Sequence, residues 1–66
     1  MKYRTTDQWD EICVSIINGN WTTAGEEAVE YGFYAVDMIC HYELNDNGID
    51  ITDVIYLAEI AQQQRS

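Results

Sequence analysis

The residues of this chain that could do chemistry are few, and their spacing mostly argues against it. The single histidine, His41, lies between Cys40 and Tyr42. Adjacent helical residues point ~100° apart, so Cys40 and His41 cannot face each other as nucleophile and base. Cys13 with His41 stays geometrically open, but no third group supports the pair. There is no Gly-rich phosphate loop and no Cys-x-x-Cys. A hydrolase built on paired carboxylates needs a cleft that so small a chain can hardly form. The one metal-like stretch runs from Glu43 through Asn45, Asp46, Asn47, Gly48 and Asp50 to Asp53. Oxygen-bearing residues alternate before a glycine, as in a calcium loop between two helices. The loop is one residue short after Gly48, begins with Glu rather than Asp, and its full-length register puts Val54 where the bidentate acid belongs. An Asn/Asp/Gly turn followed by an acidic helix start accounts for the stretch. The expectation is therefore no catalytic residue, no bound metal and no cofactor, hence no enzyme. A degenerate calcium module is a third-ranked alternative.

The dominant chemical feature is charge. From Thr5 to Gln64 there is no lysine and no arginine, and this stretch holds all 12 acidic residues. Lys2, Arg4 and Arg65 sit at the two ends, and the net charge is −9. An ordinary surface intersperses both signs. Disorder does not follow, because 47% of the 66 residues are hydrophobic, with two Trp, five Tyr and one Phe. A chain of this length makes one domain, residues 1–66, with a small core. Pairing with a second copy would add buried area, so a homodimer is one expectation. Two cysteines in apolar helical patterns fit reduced core thiols better than a disulfide framework. No apolar run follows Lys2 and Arg4, and none reaches ~18 residues, so the sequence predicts neither a signal peptide nor a membrane span. Anionic lipid would repel so acidic a face. The expected location is the cytoplasm.

Four elements would position these charges. Thr5-Thr6-Asp7-Gln8 has capping-box spacing. Trp9, Ile12, Cys13, Ile16 and Ile17 follow at helical period, with Asn18-Gly19 as the stop. A second helix begins near Asn20-Trp21, with a further capping box at Thr23–Glu26, and ends at Gly32. Its small residues, Ala24, Gly25 and Ala28, suggest close approach to a neighbouring helix. Phe33 to Leu44 is apolar on more than one side and is expected to be the central helix. After the Asn45–Gly48 turn, Ile51, Val54, Ile55 and Ala58 form a stripe that Leu57 and Ala61 widen, and Gln62 to Ser66 should fray. The fold class is all-α, a compact bundle of three to four short helices. A strand at Ile49-Asp50-Ile51 is the main structural alternative.

Helix N-termini favour acids. Seven of them, Asp7, Asp10, Glu11, Glu26, Glu27, Asp50 and Asp53, are expected there. Glu30, Glu43 and Glu59 fall in second halves of helices, where the dipole disfavours them, and Glu26/Glu30 is a repulsive i, i+4 pair. A surface that accepts this repulsion suits a strongly positive partner, such as the basic groove of a nucleic-acid-binding protein. The candidate partner-binding residues are Glu26, Glu27, Glu30, Asp37, Glu43, Asp46, Asp50, Asp53 and Glu59. Tyr31, Tyr34, Tyr42 and Tyr56 lie beside several of them and could serve as hot spots.

This acidic, tyrosine-bearing pattern, Tyr31-Gly-Phe-Tyr-Ala-Val-Asp37 followed by Gly48-Ile49-Asp50 and Asp53-Val54-Ile55, resembles small helical phage proteins that mimic DNA, in particular the Ocr-type anti-restriction inhibitors. The resemblance covers about half the chain, which is shorter and less acidic than members of that family. It implies a non-enzymatic inhibitor that replaces DNA on a host defence or restriction nuclease, or on a polymerase, without itself touching nucleic acid. The alternative from a different class is a helical adaptor or regulator that binds a protein partner through exposed aromatics.

Overall fold

The first helix is set by its cap. Thr5 is extended (φ −86°, ψ 164°), and its hydroxyl accepts from the Gln8 amide at 3.2 Å while the Gln8 side chain accepts from the Thr5 amide at 3.0 Å. This is the capping box expected from the sequence. A computed structural model describes residues 5–44 and 48–65. It contains four helices: α1 (Thr6–Ile17), α2 (Trp21–Tyr31), α3 (Ala35–Leu44) and α4 (Ile51–Arg65). No strand occurs among the described residues, and Ile49 is instead a buried anchor just before α4.

α1 buries Trp9, Ile12, Cys13 and Ile16 as its periodicity predicts, with Ser15 beside them. Ile17, expected on the same stripe, is 64% exposed. The helix ends there, and Gly19 (φ 78°) turns the chain with its amide donating to the Ile16 carbonyl. α2 starts earlier than its expected box. The Ala24 amide already donates to the Asn20 carbonyl at 3.0 Å, so Thr23 lies inside the first turn and cannot be the cap; Asn20 holds that position without a side-chain bond. Gly32 ends α2 in the left-handed region (φ 79°), and the Phe33 amide donates to the Ala28 carbonyl. Such a closure leaves φ > 0 to a residue without a Cβ.

α3 is not the central helix. Met38 is its one buried residue, while Val36 is 67% and Leu44 78% exposed and Cys40 faces outward. The reason is topological. α2 packs on α1 and α4, and α3 packs on α4 and more lightly on α1. The helices thus form a ring in the order α1, α2, α4, α3, and a corner helix can bury only one stripe. An element apolar on several sides must leave the others in water. The centre is filled instead by Trp9 from α1 and Phe33 from the α2–α3 connection, whose rings lie 5.6 Å apart.

α4 turns Val54, Leu57 and Ala61 inward, leaving Ile51 and Ile55 of the expected stripe exposed. Its last turn does not fray through Arg65. Gln64 Nε2 donates to the Thr22 carbonyl at 3.3 Å, and Arg65 Nη2 donates to the carbonyls of Ala28 (3.4 Å) and Phe33. The guanidinium also lies 4.2 Å from the centre of the Tyr34 ring. Gly25 sets the distance between α2 and α4: a Cβ there would come within 2.6 Å of Ile60 Cγ2.

Candidate functional site

Two hydrogen bonds tie α1 to α2 along their seam, one part-buried and one exposed. Ser15 Oγ donates to Glu27 Oε1 at 2.8 Å, and Tyr31 Oη donates to Glu11 Oε1 at 2.5 Å. Glu11 and Ser15 are four apart on α1, and Glu27 and Tyr31 are four apart on α2. The pairing 11 with 31 and 15 with 27 shows the helices antiparallel and forms a two-rung ladder. Side chains four apart lie on one helix face, so the ladder follows from the short reversal at Asn18–Asn20.

The ladder concentrates negative charge. The Tyr31 hydroxyl is pushed up to about 12 from its ordinary 10.0, first by its bond to Glu11, then by burial and by the charges of Glu11, Glu27 and Glu30. Three carboxylates from two helices therefore act on one phenol. Glu26 and Glu30 stand exposed on the same helix, one turn apart.

The helix boundaries change which acids local structure explains. Asp7 lies in the first turn of α1, Asp37 in that of α3 and Asp53 in that of α4, but α2 has no acid in its first turn. Glu26 and Glu27, expected to open a helix, lie beyond the first turn because α2 begins at Trp21. Asp10 and Glu11 are likewise past the first turn of α1. Asp37 accepts from the Tyr34 amide at 3.1 Å and Asp53 from the Asp50 amide at 3.4 Å. Asp50 in turn offers its carbonyl to the Asp53 and Val54 amides, which makes it the α4 cap. These three candidates serve helix starts. Glu30 and Glu43 occupy last turns, as expected. Glu59 also stands in the second half of its helix, but α4 continues to Arg65, and the dipole effect fades within one turn. His41 and Arg65 place basic side chains in the last turns of α3 and α4, Arg65 because α4 runs on through the segment expected to fray. Asp46, with the rest of the Asn45–Asn47 turn, lies outside the described residues.

The candidates thus divide. Glu26, Glu27 and Glu30 gather on α2 and are joined by Glu11. Asp37, Asp50 and Asp53 cap α3 and α4, Glu43 stands exposed near the end of α3, and Glu59 lies in a trough between α3 and α4. Glu11, Ser15 and Tyr31 are not among the expected site residues as a unit: the matched i, i+4 spacings on two consecutive helices are the one signal in the sequence, and they become readable only with the antiparallel pairing of α1 and α2.

Of the groups considered for chemistry, Cys13 is a buried thiol pushed up to about 12 by desolvation and then by the Asp10 charge. It stays protonated at neutral pH and is a poor nucleophile. Cys40, expected in the core, is exposed. His41 packs its ring on Phe33 (5.2 Å) and Trp9 (6.0 Å), and its Nδ1 is buried without a hydrogen-bond partner. Among the described residues no group of three or more His, Cys, Asp or Glu could hold a metal ion, and no helix is long and apolar enough to cross a membrane. No protein-family model matches the chain, and no curated protein or solved structure does.

Proposed function

We propose that this chain is a non-enzymatic inhibitor of the phage DNA-mimic kind, presenting the α1/α2 surface to the basic groove of a nucleic-acid-binding protein. One observation carries the reading: Glu11 and Glu27 are held side by side across the α1/α2 seam by the Tyr31 and Ser15 hydroxyls, with Glu30 exposed beside them, and none of the three opens a helix. Glu26 extends the row. Acids one helical turn apart are separated by ~6 Å along the axis, close to two phosphate steps of ~3.4 Å on one DNA strand. The rungs through Ser15 and Tyr31 hold two of these carboxylates in place before any partner arrives, which lowers the ordering cost of binding. The net charge of −9 would steer association with a positive groove. Arg65, the one Lys or Arg among the described residues, is turned to backbone carbonyls and the Tyr34 ring. A host restriction or defence nuclease, or a polymerase, has the required groove, and the cytoplasm is where such a partner would be met.

The test is capture from a bacterial lysate on the immobilised chain, followed by elution with salt and, separately, with duplex DNA. Retained proteins should be DNA-binding, released by either eluent, and poorly captured by a Glu26→Gln/Glu27→Gln/Glu30→Gln variant. A retained set indifferent to duplex DNA, or equally captured by the variant, overturns the reading.

A further inference from the structure

The ring order places α3/α4 on the side opposite the α1/α2 ladder, and that side is chemically different. Ala35 on α3 and Ala58 on α4 are too small to fill the space between their helices. They leave two adjoining hollows, of about 230 and 440 Å³, that share Ala35, Ala58 and Gln62. Ile39 and Ile55 wall the first hollow over a floor of buried Val54, while Tyr34 and Val36 wall the second. Ile39, Ile55 and Val36 are all exposed, so a continuous apolar trough lies open along the two helices. Apolar troughs with polar rims mark docking sites.

The charge of the trough selects its occupant. Glu59 is in its wall, exposed, and its carboxylate has no hydrogen-bond or ion-pair partner among the described residues. Arg65 lies at one end but is held on the Ala28 and Phe33 carbonyls and the Tyr34 ring. A second copy would bring its own Glu59 and a further −9 of charge against this wall. Anionic lipid is repelled for the same reason. A helix with an apolar stripe and flanking lysines or arginines satisfies both features: the stripe fills the trough, and a cation reaches Glu59 beside desolvating isoleucines. We propose that the α3/α4 trough docks a cationic amphipathic helix of a partner protein, with Ile39 and Ile55 taking its apolar stripe and Glu59 pairing with a lysine or arginine. This surface is independent of the α1/α2 ladder, and either could fail alone.

The experiment titrates the ¹⁵N-labelled full chain with a synthetic Leu/Lys amphipathic helical peptide. A Leu/Glu peptide of the same pattern and a lysine peptide lacking leucine serve as controls. The expected shifts concentrate at the amides of Val36, Ile39, Ile55 and Glu59, and only the Leu/Lys peptide produces them. Ile55→Asp, at an exposed position, should weaken binding roughly tenfold or more, as truncating a central anchor does, and Glu59→Gln about threefold. The shift map needs no variant, so misfolding cannot obscure the outcome. Shifts confined to Glu26, Glu27 and Glu30, or equal binding of the Leu/Glu peptide, overturn the proposal. So do shifts at the trough that grow with protein concentration alone, which would make the occupant a second copy.

Discussion

Tyr31 Oη lies 2.5 Å from Glu11 Oε1, donating its proton to a carboxylate on the neighbouring helix. The bond sets the register of α1 against α2 and places a phenol among three acids. It holds only while the phenol keeps its proton. The raised Tyr31 value, about 12 against 10.0, means that the folded state retains this proton when the unfolded chain has begun to lose it. Its stabilising effect is complete below pH ~10 and is lost as pH rises through about 12. A spectrophotometric titration should show one of the five tyrosines ionising well after the ordinary range, and Glu11→Gln should bring it back towards 10. If Glu11→Gln leaves the titration unchanged, the bond does not form in solution.

Cys13 acts in the same direction at alkaline pH. Its thiol, raised from 9.0 to about 12 by burial, stays protonated in the fold while the unfolded thiol ionises. Stability should therefore fall between pH ~9 and ~12, from both groups together. At neutral pH the two cysteines should be distinguishable with a thiol reagent. Exposed Cys40 should react in the native state, and Cys13 only at the rate of unfolding. Rapid native labelling of both thiols would contradict the burial of Cys13.

The acids in last turns predict a stability pattern. Glu30→Gln and Glu43→Gln should each raise stability by a few tenths of a kcal/mol, the scale of exposed dipole and i, i+4 terms. Glu59→Gln should leave it unchanged, since Glu59 stands more than a turn from the end of α4. Thermal melts in low salt separate these outcomes. A gain from Glu59→Gln equal to that from Glu30→Gln would show that α4 ends earlier in solution than at Arg65.

Gly25 sets packing against propensity. In an isolated helix Gly25→Ala gains ~1 kcal/mol. Here the new Cβ would fall 2.6 Å from Ile60 Cγ2, a methyl on a β-branched side chain that moves only with its rotamer, and 3.0 Å from Gln64 Nε2. Overpacking costs ~1–3 kcal/mol, so the net change should be destabilising by about 1 kcal/mol in a denaturant titration. A stabilised Gly25→Ala variant would mean that α2 and α4 sit farther apart.

Local rules made α1 legible, because its cap, its stripe and its glycine stop all lie within one short segment. The same rules failed at α3. Hydrophobicity on several sides suggests a central helix, but burial depends on how many neighbours a helix has, and the ring gives α3 only one substantial packing partner. The exposed Val36, Ile39 and Leu44 are the visible result. The acidic site was half legible. Glu26 and Glu30 could be read from spacing within one helix, whereas Glu11 joined them only once α1 and α2 were known to be antiparallel. Asp50 and Asp53 stand at the helix start where the spacing places them, whereas the capping role of Asp37 hangs on α3 beginning at Ala35 rather than Phe33, a boundary that spacing fixes poorly.

Arg65 is where the chain's end is tied to its middle. Its guanidinium meets the last-turn carbonyl of Ala28, the connecting carbonyl of Phe33 and the face of Tyr34. It thereby satisfies acceptors at the C-terminal end of α2 and fixes the connection that delivers Phe33 to the core. Removing it should loosen that connection before it unfolds the bundle. Arg65→Ala should cost ~1–3 kcal/mol, the range for a hydrogen-bonded charge facing carbonyls. Arg65→Lys should recover little, because an ammonium has neither the planar fork nor the stacking surface. Hydrogen exchange should localise the loss: in Arg65→Ala the Gly32 and Phe33 amides should exchange faster, while those of Trp9 and Ile12 in α1 keep their relative protection. Uniform acceleration across all four helices would instead mark Arg65 as part of the global folding unit rather than a clasp on one connection.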